Sequence, residues 1–270
     1  MRILHRDYNN TIKEKNVLTD NRELITQARC SLKENWGIAA LGTLIYSVLY
    51  LIANYTPYIS FVLPFIFNGV LILGYAVFVM SVVRRQEIKL ELLFSGFSRF
   101  GTVFLTYLLV LIIVLLWAIP SLILAVFFWF SIYSYIHYSI SLSFGRLLTT
   151  VAELLVLCAA LIPPLVAIYR YSLVYFLIAD NPDISAMETL KLSKTIMRGN
   201  IRKRIYLDCR FAGWALLGIL SLFIGFLWIG PYWQAAGIRF YEDVKKDYDK
   251  KISPEHTNSG EVSVVTDFTD

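Results

Sequence analysis

Six apolar blocks alternate with short polar or basic segments along the chain, at 37–54, 61–83, 101–126, 149–178, 205–222 and 225–243. A helix rises about 1.5 Å per residue, so blocks of this length can cross the roughly 30 Å hydrocarbon core of a bilayer. A short turn containing Thr56 and Pro57 divides the first two. The third runs on into FFWFSIYSYIHYSISLSF at 127–144. There Trp129, Tyr133, Tyr135 and Tyr138 suit a membrane–water boundary, because a ring with a polar tip can sit half wet. The fourth carries Pro163 and Pro164 near its middle, where missing amide donors and the ring clash predict a kink. The last stretch, 205–243, is too long for one span and just long enough for two. The pattern therefore predicts a tight turn at 221–225.

Between the blocks the period changes to that of amphipathic helices. Over 20–35, Asp20 followed by Glu23 forms a capping-box pattern, with Ile25, Ala28, Leu32 and Trp36 on one face and Arg22, Arg29 and Lys33 on another. Before the fifth block Ser185 and Glu188 repeat the box, and Lys191, Lys194 and Arg198 make a basic stripe. Both segments close on a basic residue near an asparagine, Asn35 and Asn200, which fits either a weak internal repeat or two helices meeting a membrane under the same constraints. Two readings of their faces stay open. Either the apolar sides dip into the headgroup layer while the cations meet anionic lipid, or the helices pack on the bundle and present a solvated charged face. LELLFSGFSRF, with Leu90, Leu93, Phe94, Phe97 and Phe100, predicts a further interfacial helix. Residues 1–19 read as a flexible arm, 20–245 as the membrane domain and 246–270 as a polar, disordered tail.

Charge orients these elements. The chain carries 25 Lys and Arg against 20 Asp and Glu, a formal net charge of +5, while 57% of residues are hydrophobic and 17% charged. That exceeds the roughly 45–50% apolar usage of soluble domains. With six spans, 21 of the 25 cations fall on one side: seven before the first span, four after the second, six after the fourth and four after the sixth. Arg146 alone would face the other side, and five spans would put the carboxyl-terminal lysines there too. Because Lys and Arg collect in cytoplasmic loops, the expectation is an all-α polytopic bundle of six spans in the cell membrane. Both termini and the basic interfacial helices then lie on the cytoplasmic side. The first 36 residues lack an apolar core, so no cleavable signal peptide is expected and the first span directs its own insertion.

Several segments resemble the bacterial integral membrane family known as domain of unknown function 975. They are LKENWG at 32–37, ELLFSGFSRFG at 91–101, YRYSLVYFLIADNPDISAMETLKLSKTIMRGN at 169–200, GWALLGILSLFIGFLWIGPY at 213–232 and FYEDV at 240–244. The resemblance covers about 20–245. It implies a polytopic membrane protein of Gram-positive type, distantly similar to the membrane part attached to some glycerophosphodiester phosphodiesterases. It brings no catalytic residues.

Chemistry is sparse. His5, His137 and His256 are scattered, and no HExxH, GxSxG or phosphate-cradling glycine loop occurs, so neither an enzyme nor any cofactor or metal is expected. Cys30, Cys158 and Cys209 lack metal-ligand spacing and read as reduced structural thiols. The informative residues are charges in or beside the spans: Arg170, Asp208, Arg210, Arg239 and Glu242, all toward the cytoplasmic half. One reading joins Arg170 with Asp208 or Glu242 in a polar cavity that receives an anion. The other makes them snorkelling or ion-paired structural groups. Expected partners are anionic lipids of the cytoplasmic leaflet, with Arg22, Arg29, Lys33, Lys191, Lys194 and Arg198 as headgroup contacts, together with a membrane-protein partner or a second copy. Nucleic acid is not expected. The leading expectation is a non-enzymatic accessory or regulatory role in the envelope, in homeostasis, export or immunity to membrane-active peptides. A small transporter or lipid-handling protein is the alternative, and an enzyme acting on lipid headgroups is third.

Overall fold

A computed structural model describes residues 18–55, 63–137 and 144–260, and all regular structure among them is helical. In chain order the helices are α1 (Asn21–Leu32), α2 (Trp36–Tyr55), α3 (Leu63–Val83), a 3-10 helix (Leu90–Arg99), α4 (Phe100–His137), α5 (Phe144–Ala160), α6 (Ile162–Arg170), α7 (Val174–Asp180), α8 (Ala186–Met197), α9 (Ile201–Leu220) and α10 (Phe226–Gly260). Four helical stretches are long and apolar enough to cross a membrane: Trp36–Tyr55, Leu63–Val83, Leu90–Tyr135 and Leu147–Asp180. The predicted fifth and sixth spans do form helices, divided by a turn at 221–225 as expected. They fall short of that apolar standard because Lys203, Arg204, Asp208 and Arg210 interrupt α9, and Arg239, Glu242 and Asp243 interrupt α10. The Thr56–Pro57 turn lies outside the described residues. So do Tyr138 and the final ten residues, 261–270, whereas 246–260, expected to be disordered, continue α10 as helix.

The chain divides into two compact units. The first comprises the residues up to Leu51, Gly74–Leu93 and the chain from Arg202 onward. In it α1 lies along α10 and buries Leu24, Ala28 and Leu32. Of the expected face Ala28 and Leu32 are buried and Ile25 and Trp36 half-buried, and Leu24 joins them because it stands at i to Ala28 at i+4 and Leu32 at i+8. Asp20 caps α1 by accepting from the Arg22 amide at 3.3 Å. Small residues let the chain close up: the Phe78 ring fills the space beside Gly42, and the Leu93 carbonyl lies where a Cβ on Gly74 would stand. Thr43 Oγ1 meets Tyr75 Oη at 3.0 Å, and the Tyr75 ring stacks on Tyr46.

The second unit comprises Ile52–Leu73 and Phe94–Ile201. Here α4 has 38 residues and runs well past its predicted end at 126, for a length of about 57 Å. At the predicted kink of the fourth span a single residue, Leu161, interrupts the helix at φ −78° and ψ −14°, and its amide still reaches the Leu157 carbonyl at 3.2 Å. α5 ends at Ala160, Pro163 and Pro164 begin α6, and a second turn follows Arg170. Proline at the first turn of a helix forfeits only donors that have no intrahelical partner there, which is why the interruption falls at the pair. Pro164 nevertheless leaves the Ala160 carbonyl without its usual amide four residues on, and the buried Ser121 hydroxyl of α4 donates to that carbonyl at 2.9 Å. The neighbouring Pro120 is tolerated inside α4.

α8 starts on the Ser185 cap, whose Oγ accepts from the Glu188 amide at 3.3 Å. It buries Leu190, Ser193, Ile196 and Met197 against α4, α6 and α7, and Ser193 Oγ donates to the Arg170 carbonyl at 3.0 Å. Gly199, at φ +90°, turns the chain into α9. The expected interfacial helix at LELLFSGFSRF is a 3-10 helix, with Leu93 buried and Phe94, Phe97 and Phe100 exposed.

Replacing Ser121 with Ala should leave the Ala160 carbonyl unmet in apolar surroundings and lower stability by about 1–3 kcal/mol. Ser134→Ala, which removes only a bond within its own helix, should change it little. Thermal unfolding of the full chain in detergent measures both.

Candidate functional site

α10 stays uncharged until Arg239, and its apolar half closes with the segment FYEDV. Phe240 and Tyr241 are fully buried and Val244 nearly so, which anchors the helix. Glu242 and Asp243 are consecutive and hence about 100° apart around it, so they face different neighbours. Glu242 Oε1 accepts from Arg84 Nε and Oε2 from Arg239 Nη1, each at 2.9 Å. The Arg239 guanidinium also donates to Ser31 Oγ at 2.6 Å and to the Val83 carbonyl at 3.0 Å. The last carbonyls of a helix lack intrahelical partners, so a guanidinium at the end of α3 meets both a free acceptor and the negative end of the helix dipole.

Asp243 takes the other side. Its carboxylate accepts from Lys203 Nζ at 2.7 Å, from Thr19 Oγ1 at 2.7 Å and from the Thr19 amide. Asn21 Nδ2 donates to the Lys203 carbonyl at 3.0 Å, tying the start of α1 to the start of α9. Asp208, one turn after Arg204, accepts from Arg204 Nε at 3.3 Å and from Trp233 Nε1 at 2.7 Å. Lys203 and Arg204 both lie over the Phe240 ring, and the Arg204 guanidinium fills the space that a Cβ on Gly237 would need. Each of the three carboxylates thus has at least two donors, and α1, α3, α9 and α10 are joined by one charged clasp.

Three of the five residues expected to form a polar intramembrane site, Asp208, Arg239 and Glu242, belong to this clasp. Asp208 and Glu242 accept from the donors just described within the first unit, and Arg170 belongs to the second. Arg170 is the last residue of α6, where its charge favours the helix C-terminus. Its guanidinium has no hydrogen-bond or ion-pair partner among the described residues, and it lines a groove of about 200 Å³ with Trp117, Ile162, Pro163, Val166, Ala167 and Tyr171. Arg210 is exposed on α9. Arg22, Arg29, Lys33, Lys191, Lys194 and Arg198 are likewise exposed, and the opposite faces of both helices are buried against protein. The three cysteines are free and exposed, so they do not serve as core packing. No group of metal-binding side chains occurs among the described residues, and His137 lies exposed beside the Tyr133 ring.

Sequence reasoning passes over Arg84, Lys203, Arg204, Asp243 and Thr19 as clasp members, counting the cations only as loop charge. The usable signal is FYEDV itself: two adjacent acids closing the apolar stretch of a helix need cations within reach, and Arg84 and 202–204 stand at the neighbouring helix ends.

Truncating Glu242 to Ala should cost about 1.5–3 kcal/mol, since charge-assisted bonds at partly buried groups outweigh surface pairs. A double-mutant cycle with Arg84→Ala should give a positive coupling energy, whereas Lys89→Ala, which breaks an exposed pair with Glu87, should change stability by at most a few tenths of a kcal/mol.

Comparison with known proteins places residues 18–248 in one family, covering the clasp, α1 to α9 and most of α10. No curated protein and no solved structure matches the chain. The chain belongs to the family described as "Protein of unknown function (DUF975)".

Proposed function

We propose that this is a non-enzymatic accessory or regulatory protein of the bacterial cell membrane, held in the bilayer by four crossing stretches with both termini cytoplasmic. The observation that carries this reading is the clasp. Asp208, Arg239 and Glu242 are consumed in bonds to other protein groups, which leaves no free acid–base pair there to act on a substrate. What the chain presents outward instead is cationic: Arg22, Arg29 and Lys33 on α1, and Lys191, Lys194 and Arg198 on α8. On the cytoplasmic side these face anionic headgroups, each contributing on the order of 1 kcal/mol. Burial of the apolar faces of α1 and α8 in protein supports contact through the charged faces alone, without insertion of either helix. The envelope role follows from this placement: a scaffold that orders anionic lipid supports homeostasis, export or resistance to membrane-active peptides.

A second reading rests on Arg170. A guanidinium with no partner among the described residues, set in a groove with Trp117 and Pro163, fits the headgroup of an anionic amphiphile whose chains lie along the exposed Ile162, Leu165 and Ile168.

The full chain isolated in polymer-bounded native nanodiscs should carry phosphatidylglycerol or cardiolipin in excess over bulk membrane. Alanine at the six exposed cationic positions should abolish the excess with the protein still inserted, and an unchanged lipid composition would reject the first reading. Arg170→Ala should impair function more than Lys191→Ala at equal protein abundance. Loss of abundance in step with activity would assign Arg170 to folding.

A further inference from the structure

The turn between α9 and α10 is apolar outside and complete within. Leu220, Leu222, Phe223 and Ile224 are between 60% and 82% exposed, and no charged residue lies between Arg210 and Arg239. Every backbone amide from Ser221 to Ile229 donates inside the hairpin. Phe223 reaches the Gly218 carbonyl at 3.0 Å, and Phe226 and Leu227 bond back into the turn at 3.1 Å. The Gly225 amide donates to Ser221 Oγ at 2.9 Å, and that hydroxyl donates in turn to the Gly218 carbonyl at 2.8 Å. Leu222 and Phe223 adopt left-handed φ values of 53° and 68°. Bulky residues avoid that region, and a turn in water would place glycine or asparagine there. A turn in hydrocarbon has the opposite need: its side chains must be apolar and no backbone donor may be left unmet.

Neighbouring helices report the depth of this tip. Gly230 lies against Thr43, close enough that a Cβ there would stand 3.1 Å from Thr43 Cγ2. Thr43 is seven residues, about 10 Å, into α2, and Gly225 is a further five residues, about 7 Å, beyond Gly230. The tip therefore sits about 18 Å from the start of α2, a helix about 30 Å long. Along α9 the exposed Arg210 is ten residues, about 15 Å, from Leu220. An exposed arginine favours the headgroup level, so both measures end the hairpin near the middle of a hydrocarbon core about 30 Å thick.

We propose that the α9–α10 hairpin is a re-entrant wedge. It enters the bilayer from the side that holds Arg210 and Arg239, lodges its tip among the acyl chains near the midplane, and returns without crossing. Its partner is the hydrocarbon of a single leaflet. This replaces the two last spans of the six-span expectation while keeping their consequence. Four crossings return the chain to its starting side, and a hairpin that enters and leaves on that side keeps the lysine and arginine asymmetry and both termini together. The proposal concerns depth alone and does not depend on which lipid headgroups the cationic faces select.

Nitroxide labels test it on the full chain, with Cys30, Cys158 and Cys209 replaced by Ser, reconstituted in phosphatidylethanolamine–phosphatidylglycerol vesicles. Labels are placed singly through Gly213→Cys, Leu217→Cys, Leu220→Cys and Phe223→Cys. Relaxation by oxygen relative to a water-soluble nickel chelate should rise several-fold and without reversal from 213 to 223, with Phe223 nearest the midplane. A ratio that peaks before 220 and falls to a headgroup value at 223 would show that the hairpin crosses. Strong nickel relaxation at all four sites would show that it lies outside the bilayer, and either result overturns the proposal. If the Phe223 variant does not insert, the gradient over the three sites in α9 still decides between them.

Discussion

Glu242 and Asp243 are adjacent carboxylates where α10 passes from its apolar half into its charged half, and the need to neutralise both shapes the first unit. Their side chains diverge by the helical angle, so no single neighbour can serve them. Glu242 draws in Arg84 from the end of α3 and Arg239 from its own helix, and Asp243 draws in Lys203 from α9 and Thr19 from the lead into α1. Removing charges from water is unfavourable, and only well-placed partners offset it. The contact of α1 with α10, the cations over Phe240 and the missing Cβ at Gly237 all serve geometries that keep those partners in reach.

A second constraint recurs through both units: backbone groups at helix ends must find partners where water is scarce. The chain meets it with side chains. Ser121 covers the Ala160 carbonyl that Pro164 orphans, and Arg99 donates to the Ile178 carbonyl at 2.9 Å. Arg239 covers the Val83 carbonyl, and Ser221 covers the Gly225 amide. Each lies at a break or a terminus. A helix can therefore be interrupted within an apolar stretch, as between α5 and α6, with the Ala160 carbonyl still met by a hydroxyl.

Much of this was legible beforehand. The apolar blocks located the long helices, Ser185 announced the start of α8, and the turn at 221–225 fell where the length of 205–243 required it. The proline pair marked the interruption between α5 and α6, and the tertiary structure added the Ser121 hydroxyl that donates to the freed Ala160 carbonyl. The clasp was legible by halves. Arg239, Glu242 and Asp208 stood out as charges in apolar surroundings, whereas Arg84, Lys203 and Arg204 looked like ordinary loop cations.

The sequence by itself determined the class of structure, the placement of its long helices and the lopsided distribution of cations, because these follow from hydropathy, period and charge, which are properties of neighbouring residues. Only the tertiary structure decided which cation meets which carboxylate, that the Arg170 guanidinium lines a groove with Trp117 and Pro163, and that Gly230 packs against Thr43. Those facts join residues up to 224 positions apart, as Thr19 and Asp243 are. No local pattern encodes such a pairing; it exists only once the helices have packed.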